Sequence, residues 1–596
     1  MSVLDRIERL RNVMEQQKID CYIIPTDDYH HSEYVGDYFK FREYITGFTG
    51  SAGTAVFTKD KAGLWTDGRY FIQAEAQLKG SGITLYKSGE SDVPTIEEFL
   101  KSELKEGDVL GFDGRTVTYA QGKRYCHITD ENGASLKYSL DFAQNIWKER
   151  PEMSMESVFS LEDEYTGEKI GSKLERIREI MKENGCNAHV LSSLDDIAWL
   201  LNIRGNDIAY CPLVLSYAIV YNNSVELFAD IRKFSDDIIN LLAENQVKIY
   251  PYEDIYRKVS EMTSEDKLLL DSAIMNYSLY QAISKETVIV DKQNPEILMK
   301  SVKNETQAEN LRKAHLKDAV AHTKFMYWLK KNIGRVEITE LSASARLEGL
   351  RAEQEHFLGP SFGPISAYGE HGAIVHYSAD EKSNVPLKEG KLFMTDTGGH
   401  YLEGSTDITR TVALGEVKKK KKEHFTLVAR AMLRLANTVF LYGCSGANLD
   451  CIAREVFWKE GLNFNHGTGH GVGYLLNIHE GPINFRWKEG ERPAPALEEN
   501  MVITDEPGIY IEGSHGIRLE NELLVRKTVK NEYGQFMNFE ILTYVPIDLD
   551  AILPEKMSTE EKEMLNHYHK QVYEKVSPYL SEEERIWLKE YTRAVK

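Results

Sequence analysis

Residues 390–411, GKLFMTDTGGHYLEGSTDITRT, decide the fold class of the C-terminal half of the chain. The apolar run 392–394 leads to Asp396 at the end of a predicted strand, and Asp407 follows eleven residues later. Two aspartates at this spacing can face each other across a β-hairpin. An aspartate beside glycine, serine or threonine is more often a turn or capping residue, so the pair alone does not identify a site. The motifs downstream decide between these interpretations.

Two histidines lie in the glycine-rich stretch NFNHGTGHGVG, residues 463–473. The glycines around His466 and His470 let other backbone segments approach closely and leave the imidazoles without bulky neighbours. A histidine pair beside glycines is more often a loop than a ligand site. However, the stretch MVITDEPGIY, residues 501–510, then brings Glu506 directly after an apolar strand, with a Pro-Gly turn that fixes its direction.

The stretch GIRLENELLV, residues 516–525, alternates along a predicted strand. Arg518, Glu520 and Glu522 would share one strand face, so Arg518 and Glu520 are predicted to point into a polar cleft. The candidates together offer four carboxylates and one imidazole. These carboxylates would repel one another by several kcal/mol per close pair unless cations were bound. Oxygen-rich ligation of this kind favours pairs of Mn²⁺, Co²⁺, Fe²⁺ or Zn²⁺.

These motifs lie in a predicted third domain, residues 301–596. It begins with a long amphipathic helix that ends at Gly334, and then alternates strands with helices, which argues for an α+β fold. The lysine run Lys418–Lys422 lies between a strand-like stretch and a helical one, and we expect it to form a solvated loop. The last residues are predicted to form a C-terminal helical extension.

The first 300 residues show one α/β pattern twice. A helical stretch with apolar residues on one face, from Leu4 to Met14, leads into the apolar strand CYIIP and then a polar, glycine-containing segment. The same order of helix, strand, Asp-rich turn and aromatic stretch returns later. A stretch near residue 150 combines proline, charge and serine, as linkers do. We therefore expect two copies of one α/β domain type, residues 1–150 and 151–300.

Composition and charge limit the possible partners and compartments. The chain has 596 residues, with 72 Lys plus Arg against 93 Asp plus Glu, and so a formal charge of −21. This balance repels phosphate backbones and argues against a nucleic-acid partner. Six cysteines without any CxxC pair favour a reducing compartment. We find neither a secretory signal core nor a membrane-length apolar run, so we expect a cytoplasmic protein without a membrane partner.

The ligand order and its contexts carry a resemblance to a known family. Asp, Asp, His, Glu, Glu, with DEPG and RLEN around the two glutamates, resembles the catalytic domain shared by methionine aminopeptidase, prolidase, creatinase and aminopeptidase P, the pita-bread fold. The two preceding α/β domains, similar to creatinase N-terminal domains, and the C-terminal helices resemble the long three-domain form of aminopeptidase P. The resemblance covers nearly the whole chain.

The resemblance implies a metal-dependent aminopeptidase that hydrolyses the N-terminal Xaa-Pro bond of oligopeptides, through a water shared by two divalent ions. Mn²⁺ is the favoured metal, with Co²⁺ or Zn²⁺ as alternatives, and a homodimer is expected. Asp396 would hold one ion, His470 and Glu506 the other, and Asp407 and Glu520 would bridge them. Glu506 would also carry the proton.

Four further residues are expected at the substrate, a peptide with proline in its second position. His376 in AIVHYSAD, His466, and His479 in LNIHEGPINF match the family's substrate-handling positions. His376 and His479 are also expected to act in catalysis, and Arg518 is added as a substrate-binding residue. For each histidine, the alternative is a buried hydrogen-bonding role.

Three alternatives follow from the same resemblance. A prolidase would use the same metals on Xaa-Pro dipeptides only, and it usually has one N-terminal domain where two are predicted here. A creatinase would lack the metal ligands, all five of which are present here. A binding module that has lost catalysis would also have lost those ligands. The sequence therefore favours the aminopeptidase.

Overall fold

The computed structural model describes residues 1–488, 490 and 492–596, which form two compact units. Unit 1 comprises Met1–Leu161 and Glu168–Glu296. Unit 2 comprises Glu162–Gly167 and Ile297–Lys596.

The first half of unit 1 is a six-stranded sheet with helices. Its elements are α1 (Val3–Gln17), β1 (Cys21–Pro25), α2 (Phe41–Thr46), β2 (Thr54–Thr58), β3 (Ala62–Thr66), α3 (Phe71–Gln77), β4 (Thr84–Lys87), α4 (Ile96–Glu103), β5 (Val109–Phe112), α5 (Tyr119–Glu131), β6 (Ser135–Lys137) and α6 (Phe142–Ile146). The strand order is β4-β3-β2-β1-β5-β6. β1 and β3 each run antiparallel to β2, and the outer neighbours β4, β5 and β6 pair in parallel.

The second half of unit 1 repeats this sheet. Its elements, together with α7 from unit 2, are β7 (Phe159–Ser160), α7 (Asp163–Thr166), α8 (Ile170–Glu183), β8 (Ala188–Leu191), α9 (Leu194–Leu200), β9 (Ile203–Arg204), β10 (Tyr217–Tyr221), β11 (Val225–Phe228), α10 (Asp236–Glu244), β12 (Val247–Tyr250), α11 (Asp254–Ser260), β13 (Lys267–Leu270), α12 (Tyr277–Ala282) and β14 (Val288–Asp291). The strand order is β12-β11-β10-β8-β13-β14, with the same alternation of antiparallel and parallel pairs. The predicted duplication of an α/β domain is confirmed.

Unit 2 combines long helices with antiparallel strands. Its elements begin with α13 (Pro295–Ser301) at the boundary and continue with α14 (Glu305–Asn332), α15 (Glu340–Ala352), β15 (Phe357–Pro360), β16 (Ile365–Tyr368), β17 (Lys391–Thr397), β18 (Gly399–Tyr401), β19 (Gly404–Ser405), β20 (Ile408–Leu414), α16 (Lys419–Ala436), β21 (Phe440–Leu441), α17 (Gly446–Trp458), β22 (Gly469–Val472), β23 (His479–Phe485), β24 (Val502–Asp505), β25 (Gly508–Ile511), β26 (His515–Arg518), β27 (Asn521–Asn531), β28 (Gly534–Ile541), α18 (Thr559–Val576) and α19 (Glu582–Tyr591).

Two antiparallel sheets of unit 2 provide the framework of the site. One has the order β21-β28-β27-β24-β22-β23, and the other β16-β17-β20. Phe325 of α14, Phe425 and Met432 of α16, and Leu523 of β27 are fully buried in one apolar core. Burial on this scale stabilises each element by its apolar face rather than by helix propensity alone. The predicted α+β domain is confirmed.

The long helix begins and ends as the sequence indicates. Asn304 caps α14 in a reciprocal hydrogen-bond pair with Gln307, which satisfies backbone N–H groups of the first turn. The helix ends at Asn332, two residues before Gly334, whose φ of 74° is available to glycine at little cost.

Three local predictions are wrong. Lys419–Lys422 form the first turn of α16 rather than a loop. Leu4 is 56% exposed, so only Ile7, Leu10 and Met14 form the buried face of α1. The stretch 516–525 is not one strand, since Leu519 and Glu520 separate β26 from β27 and side chains of both parities are buried.

All six cysteines are unpaired. Among the described residues, no helix combines the length and the hydropathy that a membrane span requires.

Candidate metal centre

Asp396 and Asp407 meet at one end of the antiparallel pair β17–β20. Asp396 lies opposite Thr409 in this ladder, and Asp407 immediately precedes β20. Both aspartates are buried. The apolar residues of β17 and β20 are buried, and the pairing of the two strands brings Asp396 and Asp407 close together where the ladder ends. The hairpin predicted from their spacing thus positions them as neighbours.

The other three candidates come from the six-stranded sheet and its edge. His470 lies on β22, Glu506 follows β24, and Glu520 lies between β26 and β27. A Cβ atom at Gly469 would stand 1.8 Å from the Thr504 carbonyl oxygen, so only glycine permits this approach of the two strands. The glycines beside His470 therefore serve close backbone contact, as the sequence predicts.

The side-chain donors converge into three overlapping groups. Within each group the ligand atoms lie within 4.8 Å of one another, and the groups are Asp407, His470 and His479; His470, Glu506 and Glu520; and Asp396, Asp407 and Glu520. His470 Nε2 is 3.5 Å from Asp407 Oδ2 and 3.7 Å from Glu506 Oε1. The structure therefore brings together all five predicted ligands and adds His479 beside them.

The protonation of this cluster fits a site for cations. Burial raises the pKa of Glu520 well above its usual range, and the charges of Asp407, Glu506 and Asp396 raise it further. Burial likewise raises the pKa of Asp396, against the opposing charge of Arg518. Asp396 Oδ1 is buried without a hydrogen-bond partner among the described residues. Bound divalent ions would neutralise these carboxylates and satisfy the orphaned oxygen.

Neighbouring groups orient the donors. His470 Nδ1 is 2.9 Å from the Gly471 carbonyl oxygen, which can only accept, so Nδ1 carries a proton and Nε2 faces the carboxylates. The Thr409 hydroxyl donates to Glu520 Oε2 at 2.7 Å. These contacts direct His470 Nε2 and the Glu520 carboxylate toward the centre of the cluster.

Arg518 is buried and connects the cluster to a histidine. Its Nε donates to Asp396 Oδ2 at 3.1 Å, its Nη2 donates to the same oxygen, and its Nη1 donates to the Tyr510 hydroxyl at 2.6 Å. The Tyr510 hydroxyl lies 2.8 Å from His466 Nε2, and His466 Nδ1 lies 2.7 Å from the Gly467 carbonyl. Because that carbonyl only accepts, the hydroxyl donates to Nε2 of a neutral His466.

The neutral state of His466 has a physical cause. Burial and the charge of Arg518 lower the pKa of His466 to about 3. Tyr510, which completes this chain of hydrogen bonds, was not singled out from the sequence, although it follows Glu506 in the same motif. Since the guanidinium of Arg518 is engaged by Asp396 and Tyr510, the arginine can orient residues around a substrate.

The remaining two predicted histidines each lie near a histidine already described. The His479 ring meets the His470 ring edge to face, with centroids 4.3 Å apart. His376 is half-buried and lies close enough to His466 to help lower its pKa. It follows a short 3₁₀ helix, Gly369–Ala373, that packs on β26. A Cβ atom at Gly516 of β26 would stand 1.5 Å from the Gly372 carbonyl oxygen, so the two segments touch through backbone alone.

Metal binding should release protons, and its affinity should rise with pH. Burial lowers the pKa of His470, but Asp407 and Glu506 raise it more, to a net value of about 9. Below pH 9 a metal must displace this proton, so the apparent affinity should weaken about tenfold for each pH unit lost. Calorimetric titration of Mn²⁺ into metal-free protein, in buffers of different ionisation enthalpy, measures the protons released.

His470→Gln is the control for this measurement, since it removes the titrating imidazole. The variant should release about one proton fewer per protein. An affinity that is independent of pH between 7 and 9 in the unsubstituted protein would contradict the prediction.

Family models match almost the entire chain. The Creatinase/Prolidase N-terminal domain matches residues 6–136, and a second model of that description matches residues 149–307. Metallopeptidase family M24 matches residues 309–527, and the C-terminal region of peptidase M24 matches residues 535–595. The first two matches coincide with the two repeated sheets, and the third contains all five predicted ligands.

Whole-length relatives share this arrangement. The chain is 36% identical to Xaa-Pro aminopeptidase 1 of Dictyostelium discoideum, covering 97% of this chain and 94% of the relative, and 34% identical to aminopeptidase P1 of Arabidopsis thaliana, covering 99% of both. The crystal structure of X-prolyl aminopeptidase from Caenorhabditis elegans, described as a cytosolic enzyme with a di-nuclear active site, superposes with a TM-score of 0.95 at 34% identity, covering 100% of both chains.

Proposed function

The chain belongs to metallopeptidase family M24, among its full-length Xaa-Pro aminopeptidases, and from this premise we propose that it removes the first residue of peptides whose second residue is proline. The observation that carries this proposal is the convergence of four carboxylates and one imidazole, all buried or half-buried, in a chain that matches these relatives from end to end. A two-metal hydrolase is the function for which such a donor set is suited.

Two divalent ions fit the donor groups. Asp407 and Glu520 each belong to one group that contains His470 and to another that contains Asp396, which supports a bridging role for both. Asp396 would complete one metal position, and His470 with Glu506 the other. When bound, two such ions lower the pKa of a water molecule and stabilise negative charge on the carbonyl oxygen of the scissile bond.

The remaining chemistry belongs to the side chains. Glu506 would take a proton from the attacking water at a carboxylate oxygen and pass it to the leaving proline nitrogen. His376 and His479 would donate to the scissile carbonyl oxygen as its charge develops. His466, held neutral by Tyr510 and the Gly467 carbonyl, would line the surface that receives the proline ring.

Selectivity for proline follows from its shape. An Xaa-Pro amide has no N–H group, so the site needs no hydrogen-bond acceptor at that position. The proline ring also fixes φ near −65°, which defines the shape that the site must receive. The free N-terminus of the peptide would bind beside a metal or the carboxylate cluster, which restricts cleavage to the first bond. A bulkier side chain, or one without a ring, at the second position of the peptide should fit this surface poorly.

Several finer features belong to the same proposal. The oxygen-rich donor set favours Mn²⁺, with Co²⁺ or Zn²⁺ as alternatives. The description of the nematode relative supports a cytoplasmic enzyme, and family resemblance supports a homodimer. Domain boundaries near residues 150 and 300 belong to the proposal, and they are supported by family matches that run from 6 to 136, from 149 to 307 and from 309 to 527.

A panel of three peptides tests the function. Metal-free protein supplied with Mn²⁺ should release arginine from Arg-Pro-Pro, act weakly on Arg-Ala-Ala, and become inactive again with a chelator, because cleavage requires both the proline and the metal. Chromatography of the products measures each reaction. Cleavage of the dipeptide Gly-Pro alone would indicate a prolidase, and no cleavage with Mn²⁺, Co²⁺ or Zn²⁺ would favour a binding role.

A further inference from the structure

We propose that Glu522 and His315, neither of them a metal ligand, form a positioning pair that holds Asp407 in its bridging place. The pair would therefore set the affinity of the site for its ions. This inference rests on the proposed two-metal function and deepens it by naming residues behind the ligands.

The contact to Asp407 is through its backbone. The Asp407 N–H donates to Glu522 Oε1 at 2.6 Å, and both residues are buried. The ladder between β17 and β20 pairs Ile408 with Thr397 as its last register, so Asp407 lies just outside it. A hydrogen bond to a carboxylate is stronger than one between neutral groups. Glu522 thus supplies the partner that the strand ladder does not give to Asp407.

Glu522 is itself held on two sides. Its own N–H donates to the Thr543 hydroxyl at 2.9 Å, and its Oε2 lies 3.1 Å from Nε2 of the fully buried His315 on α14. Glu522 Oε1 accepts a hydrogen bond and Oε2 lies within ion-pair distance of His315, and these two contacts restrict the rotation of the Glu522 side chain. Its position therefore transmits the position of α14 to Asp407.

The same helix secures the residue before Asp407. Asp318 lies three residues after His315, so the two side chains share one face of α14. Asp318 accepts hydrogen bonds from the Thr406 hydroxyl and from Arg351 Nε, the latter at 2.6 Å. Thr406 thus contacts α14 directly, through Asp318, and Asp407 is connected to the same helix through Glu522 and His315.

The charge of Glu522 argues for a role beyond folding. Four ligand carboxylates already lie in this region, so a further buried carboxylate adds repulsion when no cation is present. An apolar residue in the middle of the sheet would avoid that repulsion. The carboxylate is therefore best explained by what it does for Asp407.

Metal affinity measured by calorimetry tests the pair. Mn²⁺ titrated into metal-free Glu522→Leu should bind about 10 to 100 times more weakly than to the unsubstituted protein, the range seen when groups behind metal ligands are removed. Glu522→Gln should bind within about threefold of the unsubstituted protein, since its amide oxygen still accepts the Asp407 N–H.

A matched control separates positioning from general loss of stability. Asp548 is also fully buried, accepts the Ala413 N–H of β20 at 2.7 Å and contacts Lys330 Nζ at 2.6 Å, but it serves the far end of that strand. Asp548→Leu should lower the unfolding temperature of the metal-free protein and leave Mn²⁺ affinity unchanged. His315→Leu, with His315→Gln as its rescue, tests the other member of the pair if Glu522→Leu does not fold.

The outcomes distinguish the inference from the proposed function. Unchanged Mn²⁺ affinity in Glu522→Leu or His315→Leu, or an equal loss in Asp548→Leu, would overturn the positioning pair while the two-metal centre stands. An unsubstituted protein that binds no Mn²⁺, Co²⁺ or Zn²⁺ would overturn both.

Discussion

Glu506→Gln should retain the fold and lose nearly all turnover of Arg-Pro-Pro. Glutamine has the same shape and keeps one oxygen toward the cluster, but it cannot accept the proton of the attacking water. Loss of a general base lowers kcat by about 10²- to 10⁴-fold. Burial raises the pKa of Glu506 in the metal-free protein, with His470 and Arg518 opposing, so the carboxylate lies in an environment that favours proton uptake.

The measurement must separate proton transfer from metal loss. Metal content and kcat are determined together at saturating Mn²⁺, so that a loss of turnover at full occupancy reports the base. Glu512→Gln is the matched control, because Glu512 is exposed on the turn that follows β25. The metal content and kcat of Glu512→Gln should equal those of the unsubstituted protein. A Glu506→Gln variant that turns over within tenfold of the unsubstituted protein at full occupancy would remove Glu506 from the role of base.

Glu520→Gln should have opposite effects on the metal-free and metal-bound states. Glu520 is fully buried, and its raised pKa reflects burial together with three neighbouring carboxylates. Glutamine is neutral without taking up a proton on folding, so the metal-free protein should gain stability on the order of 1 kcal/mol. The same change removes a charged ligand from the two donor groups that contain Glu520. Turnover should therefore fall roughly 10³-fold, as expected when several kcal/mol of charge stabilisation are lost.

Thermal unfolding with chelator and with Mn²⁺ measures both effects. The increase in unfolding temperature on adding Mn²⁺ should be smaller in Glu520→Gln than in the unsubstituted protein, because tighter binding gives the larger increase. Glu540→Gln is the control. Arg312 Nε donates to Glu540 Oε1 at 2.7 Å, and Glu540 belongs to none of the three donor groups. It should leave the Mn²⁺ effect intact. A metal-free Glu520→Gln that is less stable than the unsubstituted protein would show that the carboxylates do not repel one another there.

The five candidate ligands could be proposed from the sequence because each lies in a short motif that resembles the family's. Apolar strand residues precede Asp396 and Glu506, and glycines surround His470, but these local patterns left turn and loop interpretations open until the order of the motifs was compared with the family's. The duplicated α/β sheets were predictable from local pattern, since helix and strand periodicity recur in each half. These features depend on residues within a few positions of one another.

The supporting residues could not be predicted because they meet across long separations. Asp407 and Glu522 are 115 residues apart, and their contact depends on the pairing of β24 with β27 and on the course of β20. Tyr510 gains its role only where β25 pairs with β26, which brings it to Arg518. The assignment of residues 162–167 to unit 2 could not be predicted either, because the chain on both sides of this segment belongs to unit 1.

The lysine run shows a different limit. The charge run between a strand-like stretch and a helical one predicted a loop for Lys418–Lys422. Positive charge at a helix N-terminus also opposes the helix dipole. Lysine is nevertheless a good helix former, and the buried face of α16, including Phe425 and Val428, stabilises the whole helix against that local cost. Tertiary packing therefore decided where this helix begins.

The backbone contact between Gly372 and Gly516 has a consequence for how the gene can change. Any codon substitution at Gly516 introduces a Cβ atom where the Gly372 carbonyl already lies, and no side chain is present that could move aside. A lineage could not accept such a change and then repair it by altering a neighbouring side chain. A saturation library should therefore return glycine at Gly516 even where the flanking residues vary freely.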